Sequence, residues 1–179
     1  MKQYWKISAS LLALAALVSC FDAIRQYQDH PSLPPADGKL KVAGLEGEVN
    51  VYRDRYGIPH IMTDNEHDLF FAAGYVQAQD RLWEMILFRA LAEGRMAEIF
   101  GEVNVPGVRL SGFPLSTTGI DKRQRIMGMK YMGELAASLV RETNPRVFNQ
   151  LQAFSDGVNA FIDSHPKFED LPVEFQILR

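Results

Sequence analysis

Apolar residues change their rhythm along this chain, and each rhythm predicts an element. Residues 7–18, Ile-Ser-Ala-Ser-Leu-Leu-Ala-Leu-Ala-Ala-Leu-Val, form one uncharged run of 12 residues. Glu48-Val49-Asn50-Val51-Tyr52-Arg53 alternates polar and apolar side chains, the period of a half-buried strand. Asp54-Arg55-Tyr56-Gly57 reads as a turn, with Gly57 free to take positive φ. Ile58 to Thr63 returns as a second strand. Pro59 has no N–H to donate, so it belongs at that strand's start or edge. The pair predicts a β-hairpin.

The rhythm then becomes helical. Asp64 or Asn65 can accept from the free N–H groups of a helix start. Leu69, Ala72, Ala73, Val76, Trp83, Ile86, Leu87 and Ala90 recur at about 3.6 residues. Gln79-Asp80 interrupts that stripe, and Gly94 ends it. Residues 95–101 predict a further turn or short helix. Residues 102–120 carry Pro106, Gly107, Gly112, Pro114 and Gly119 and read as a 19-residue loop, longer than most connections. A helix is expected from Asp121 to about Glu142. Asn144 caps the next one, with Pro145 at its first position. Val147, Leu151, Phe154, Val158 and Phe161 follow at steps of 4, 3, 4 and 3 until His165-Pro166 stops them. The tail from Leu171 opens another apolar element without a polar close, and reads as a cut chain.

The first apolar run is too short for a membrane span of about 20 residues. With Lys2 and Lys6 before it, it fits a signal peptide over residues 1–19. Leu17-Val18-Ser19-Cys20 resembles a bacterial lipobox, which makes Cys20, the only cysteine of the chain, the expected lipid attachment site. The alternatives are an ordinary signal peptide cut nearby, or a free Cys20 thiol activated by its own α-amine. Residues 20–46, with His30-Pro31-Ser32-Leu33-Pro34-Pro35, read as a lipidated N-terminus and tether. Residues 47–179 form the folded segment. The expected location is the periplasmic face of a bacterial membrane, held by lipid. The 179 residues carry a net charge of −3; losing Lys2 and Lys6 makes it −5. That balance offers no footprint for nucleic acid, and any membrane contact must rest on the lipid. A lone cysteine excludes an internal disulfide framework.

Residue chemistry alone identifies no active site. There is no Gly-x-Ser-x-Gly, no phosphate-binding glycine loop and no His-Glu-x-x-His. His60, Asp64, His67 and Asp68 form a loose cluster, read as partly exposed turn residues rather than metal ligands. Asp80 and Arg81 sit inside an apolar helix, and a charge there must be paired. They are read as structural ion-pairing residues that lock the helix to the hairpin. Arg89, Arg95 and Glu98 are read as salt-bridge positions. Trp83, Met85, Phe88 and Phe100 are read as core packing rather than as a pocket lining. No catalytic residue and no metal ligand is assigned.

Arg53-Asp54-Arg55-Tyr56-Gly57-Ile58-Pro59-His60-Ile61 nevertheless resembles the opening motif of the penicillin acylase family, amidases of the N-terminal nucleophile hydrolase class. Asp68 to Met85, with Gly74-Tyr75-Val76-Gln77-Ala78-Gln79-Asp80-Arg81-Leu82-Trp83 at its centre, continues the pattern. So do Gly94 to Gly101 and, more weakly, Asp121 with Arg125 and Gly128, then Gly157-Val158-Asn159-Ala160-Phe161-Ile162. The resemblance implies an α+β fold: the N-terminal portion of an αββα sandwich, here a β-hairpin followed mostly by helices. It implies an enzyme that hydrolyses linear amides, with a nucleophilic serine at the start of a β chain and a calcium site outside this segment. No cofactor is expected in this chain, and the β chain is its expected partner. The segment alone is expected to be inactive. The alternative is a non-catalytic anchored lipoprotein module or a degenerate fragment.

Overall fold

A computed structural model describes Leu33, residues 37–110 and residues 113–177; for 105–110, 113–114 and 177 it describes the backbone alone. The signal peptide and Cys20 lie outside the described residues.

Strands β1 (Asn50–Arg53) and β2 (Pro59–Met62) pair antiparallel, with Val51 opposite Ile61 and Arg53 opposite Pro59. Asp54 builds the turn between them. Its Oδ1 accepts from the N–H of Tyr56 (2.8 Å) and of Ile58 (3.0 Å), while Gly57 takes φ 77°. Pro59 opens β2, where its missing donor costs no ladder bond.

Helix α1 (Glu66–Glu93) follows. Asn65 caps it by accepting from Asp68 N–H, and Gly94, at φ 69° and ψ 50°, closes it. Arg81 inside it has non-helical φ −147° and ψ 29°, so the helix is kinked there. The short α2 (Met96–Phe100) comes next.

Residues 102–120 are not the expected loop. Strands β3 (Asn104–Leu110) and β4 (Phe113–Ser116) pair antiparallel across them, with a register shift between Asn104 and Arg109. The helix expected from Asp121 to Glu142 is two helices and starts earlier. They are α3 (Thr117–Met127), capped by Ser116, and α4 (Met129–Thr143). Gly128 separates them in the left-handed conformation (φ 68°, ψ 29°). Helix α5 (Pro145–Asp163) starts as expected, with Asn144 capping Val147 N–H at 3.3 Å. A 3-10 turn (Phe168–Asp170) and α6 (Val173–Ile177) complete the described residues.

The core lies between α1 and α5, which run in the same sense. Glu66 meets Arg146 and Gln150 near their starts, and Tyr75 packs edge-on against Phe161 further along. Two glycines set the spacing. A Cβ on Gly74 would stand 2.0 Å from the Phe154 carbonyl oxygen, and one on Gly157 would stand 1.9 Å from that of Phe71. Only backbone fits there. Beyond the crossing, Ala78, Leu82 and Phe161 form the buried centre, flanked by Tyr75, Ile86, Val158, Leu171 and Phe175. Trp83 extends it, edge-on to both Phe100 and Phe175, in keeping with a packing role. Phe88, also expected in the core, is instead 66% exposed, so the apolar stripe is wider than the face α1 buries.

Candidate functional site

The charged residues of the recognised motifs form three clips that hold the elements together. The first is at the start of α1. Asp68 is completely buried. Its carboxylate accepts from the N–H of Glu46 (3.0 Å) and Gly47 (2.7 Å), from the Asn65 amide (2.9 Å) and from His67 Nδ1 (3.0 Å). Its own N–H returns to Asn65 Oδ1 at 2.7 Å, a reciprocal cap. Burial pushes its carboxyl up. The donors from Glu46, Asn65, His67 and Gly47 outweigh that and hold it down at about 2.

The second clip is near the kink of α1. Arg53, at the end of β1, grips Asp80 with both terminal nitrogens at 2.8 Å, and also reaches Gln79 Oε1 (3.1 Å) and Gly57 O (3.2 Å). Such a fork places two parallel bonds on one carboxylate. The pair is 25% and 29% exposed at its side chains. Asp80 therefore ties the helix to the hairpin. Arg81 does not share in this: it points outward, 64% exposed, to Glu84 at 2.9 Å. Arg81 carries the non-helical backbone of the kink, and its side chain leaves Gln79 and Asp80 to Arg53.

The two clips match in length. From Gly47 to Arg53 an extended chain covers about 20 Å, and from Asp68 to Asp80 a helix rises about 18 Å. The hairpin is laid along the first half of α1 and fastened at both ends. With Gly47 held at Asp68, the match brings Arg53 level with Asp80.

The third clip joins α1, α2 and α3. Asp121 is buried and accepts from the N–H of Met96 (2.7 Å) and Ala97 (2.9 Å), capping α2 from a distant helix. Arg125 donates to the Gly94 carbonyl at 2.9 Å. A Cβ on Gly94 would meet the Asp121 carbonyl at 2.7 Å. The weak pattern of Asp121, Arg125 and Gly128 is thus two grips and a helix stop. Arg95 and Glu98 pair with each other at 2.8 Å, and Arg89 pairs with Glu93 at 3.1 Å, in keeping with salt-bridge roles.

The loose cluster of His60, Asp64, His67 and Asp68 is not brought together. His60 lies 3.6 Å from Asp54 on the hairpin, Asp64 is exposed, and only His67 and Asp68 touch. Nor is Asp68 a partly exposed turn residue; backbone donors 21 and 22 residues away surround it. Glu46, His67 and Asp68 place ligand-type atoms within 4.8 Å of one another, but the Asp68 oxygens already accept four donors. A cleft of about 120 Å³ runs beside the kink, between residues 79–84, Leu33 and residues 172–174. Sites for drug-sized ligands are about 300 Å³ or more.

Among the described residues, one serine touches a histidine. Ser164 Oγ lies 3.0 Å from His165 Nδ1. Both also lie on the Phe161 carbonyl, at 2.7 and 2.8 Å. Two groups donating to one carbonyl close a helix end; neither activates the other.

This scaffold can be placed among known proteins. The sequence model of the penicillin amidase family matches residues 48–179. The chain belongs to the penicillin amidase family. It is 35% identical over 153 residues to acyl-homoserine lactone acylase QuiP of Pseudomonas aeruginosa, covering 86% of this chain and 16% of that protein. It is 35% identical over 147 residues to a penicillin acylase 2 proenzyme of a Pseudomonas species, covering 82% and 16%. A thermostable penicillin G acylase from Alcaligenes faecalis, in its tetragonal crystal form, superposes with a TM-score of 0.57 at 26% identity, covering 73% of this chain and 62% of that one. The fold is that of a penicillin G acylase, an N-terminal nucleophile hydrolase. The chain spans about one sixth of the length of the two curated relatives. No helix among the described residues is long and apolar enough to cross a membrane.

Proposed function

We propose that this chain is the N-terminal α-chain segment of a penicillin-acylase-type amidase. The complete enzyme hydrolyses a linear amide into a carboxylic acid and an amine, with the nucleophilic serine supplied by a β chain. The relatives' names point to two substrate classes, the side-chain amides of penicillins and acyl-homoserine lactones. The chain's own contribution is architectural: it lays the hairpin on α1 and packs α1 on α5, and alone it is inactive. Residues 1–19 are a signal peptide, Cys20 carries lipid, and residues 47–179 are the acylase segment.

One observation carries the reading. The matched stretch covers 62% of the solved acylase chain but only 16% of the curated relatives, one of them named a proenzyme. The solved chain is therefore several times shorter than those relatives, as a polypeptide cut from a precursor is.

Mass spectrometry of the native product, recovered from a membrane fraction, tests the proposal. The expected result is a lipid-bearing chain starting at Cys20 that co-purifies with a second polypeptide starting with serine, in a fraction that hydrolyses an acyl amide. A product of residues 20–179 plus lipid, without a companion and without amidase activity, would establish the anchored module instead.

A further inference from the structure

Helix α4 is amphipathic and yet has no buried residue. A helix of 15 residues is marginal in water unless it buries a face. Its apolar residues Met132, Leu135 and Leu139 follow at helical steps of 3 and 4, and all are at least half exposed. At its start Met127 and Met129 flank Gly128, and both are exposed; Ile126 before them is 86% exposed. Exposed apolar residues thus stand on both sides of the α3–α4 break.

The charge around the stripe differs from that of the chain. Residues 122–142 carry Lys122, Arg123, Arg125, Lys130 and Arg141 against Glu134 and Glu142, in a protein of net charge −3. A second copy would bring a like-charged rim against this one. The surface asks for an apolar partner with an acidic border.

We propose that the α3–α4 ridge is the docking surface for the polypeptide that completes the acylase, through an apolar, acid-rimmed face. The inference rests on the reading of this chain as one segment of a longer precursor. It adds where the rest sits. The relatives supply the occupant: about five sixths of their length lies outside the matched stretch. The apolar centre of α1 is already covered by α5, whereas the apolar stripe of α4 is not.

Methionine oxidation reads this surface directly, because exposed thioethers oxidise readily. Dilute peroxide is applied to the native product from membranes and to the full chain produced alone, and peptide masses are compared. In the chain alone, Met127, Met129 and Met132 oxidise. In the native product they are expected to oxidise severalfold more slowly, and a Lys122→Glu, Arg123→Glu, Lys130→Glu variant should lose the companion at low salt while keeping its helix content. A companion polypeptide that leaves the three methionines fully reactive overturns the inference alone. Absence of any companion overturns the underlying reading as well. Protection in the chain alone that grows with concentration gives the ridge to a second copy, and protection by anionic vesicles gives it to lipid; either result overturns the inference.

Discussion

Asp80 and Arg81 show how much a single position decides. One lies toward the hairpin and is gripped by two nitrogens of Arg53; the other lies toward water. Replacing the fork is therefore expected to matter and replacing its neighbour is not. Arg53→Lys or Asp80→Asn should lower unfolding free energy by about 1 kcal/mol, and Arg81→Ala should leave the urea midpoint where it is; urea midpoints decide between them. Asp68 acts through pH. Its folded carboxyl, at about 2, lies below the unfolded value of 3.8. The stability it gives is whole above pH 3.8 and disappears as the pH falls through about 2. Acid titration followed by circular dichroism should show this limb, worth on the order of 2 kcal/mol. In Asp68→Asn the limb should flatten, from a lower starting stability. The sequence did not reveal Asp68 or Asp121 as buried clips, because the groups they clip are backbone N–H groups more than 20 residues away. Backbone donors carry no residue signature. Asp80 was legible because a charge in an apolar stripe demands a partner; Arg53, the partner, was not.

Among the elements, those with a strong period were legible and those set by glycine and proline were not. The first hairpin, α1 and α5 follow from alternation, helical rhythm and caps. The β3–β4 hairpin was hidden because Pro106, Gly107 and Pro114 disfavour a regular ladder, and its register indeed shifts. The α3–α4 break was hidden because the apolar rhythm runs through Gly128 while the backbone turns there. Glycine has opposite meanings at two sites, which gives a paired test. Gly157→Ala forces a Cβ into the Phe71 carbonyl and should cost about 2–4 kcal/mol. Gly133→Ala, inside α4 with nothing within 4 Å, should gain about 0.5–1 kcal/mol. Thermal melts of the two variants should move in opposite directions.

For the whole molecule, the uncovered ridge makes the isolated chain adhesive. The chain alone should bind an apolar dye and scatter light as its concentration rises. Replacing Leu135 and Leu139 with Gln should reduce both, and should change unfolding free energy by less than about 0.5 kcal/mol. The pairing of α1 with α5 has a consequence in time. Glu66 meets Arg146 from 80 positions away. At a synthesis rate of about 5–20 residues per second, α1 waits about 4–16 s for its cover to leave the ribosome. Through that interval the face that meets α5 has no native companion. For a chain exported as proposed, this delay is useful: the fold cannot close early, and the polypeptide stays threadable until the segment that locks it has been made.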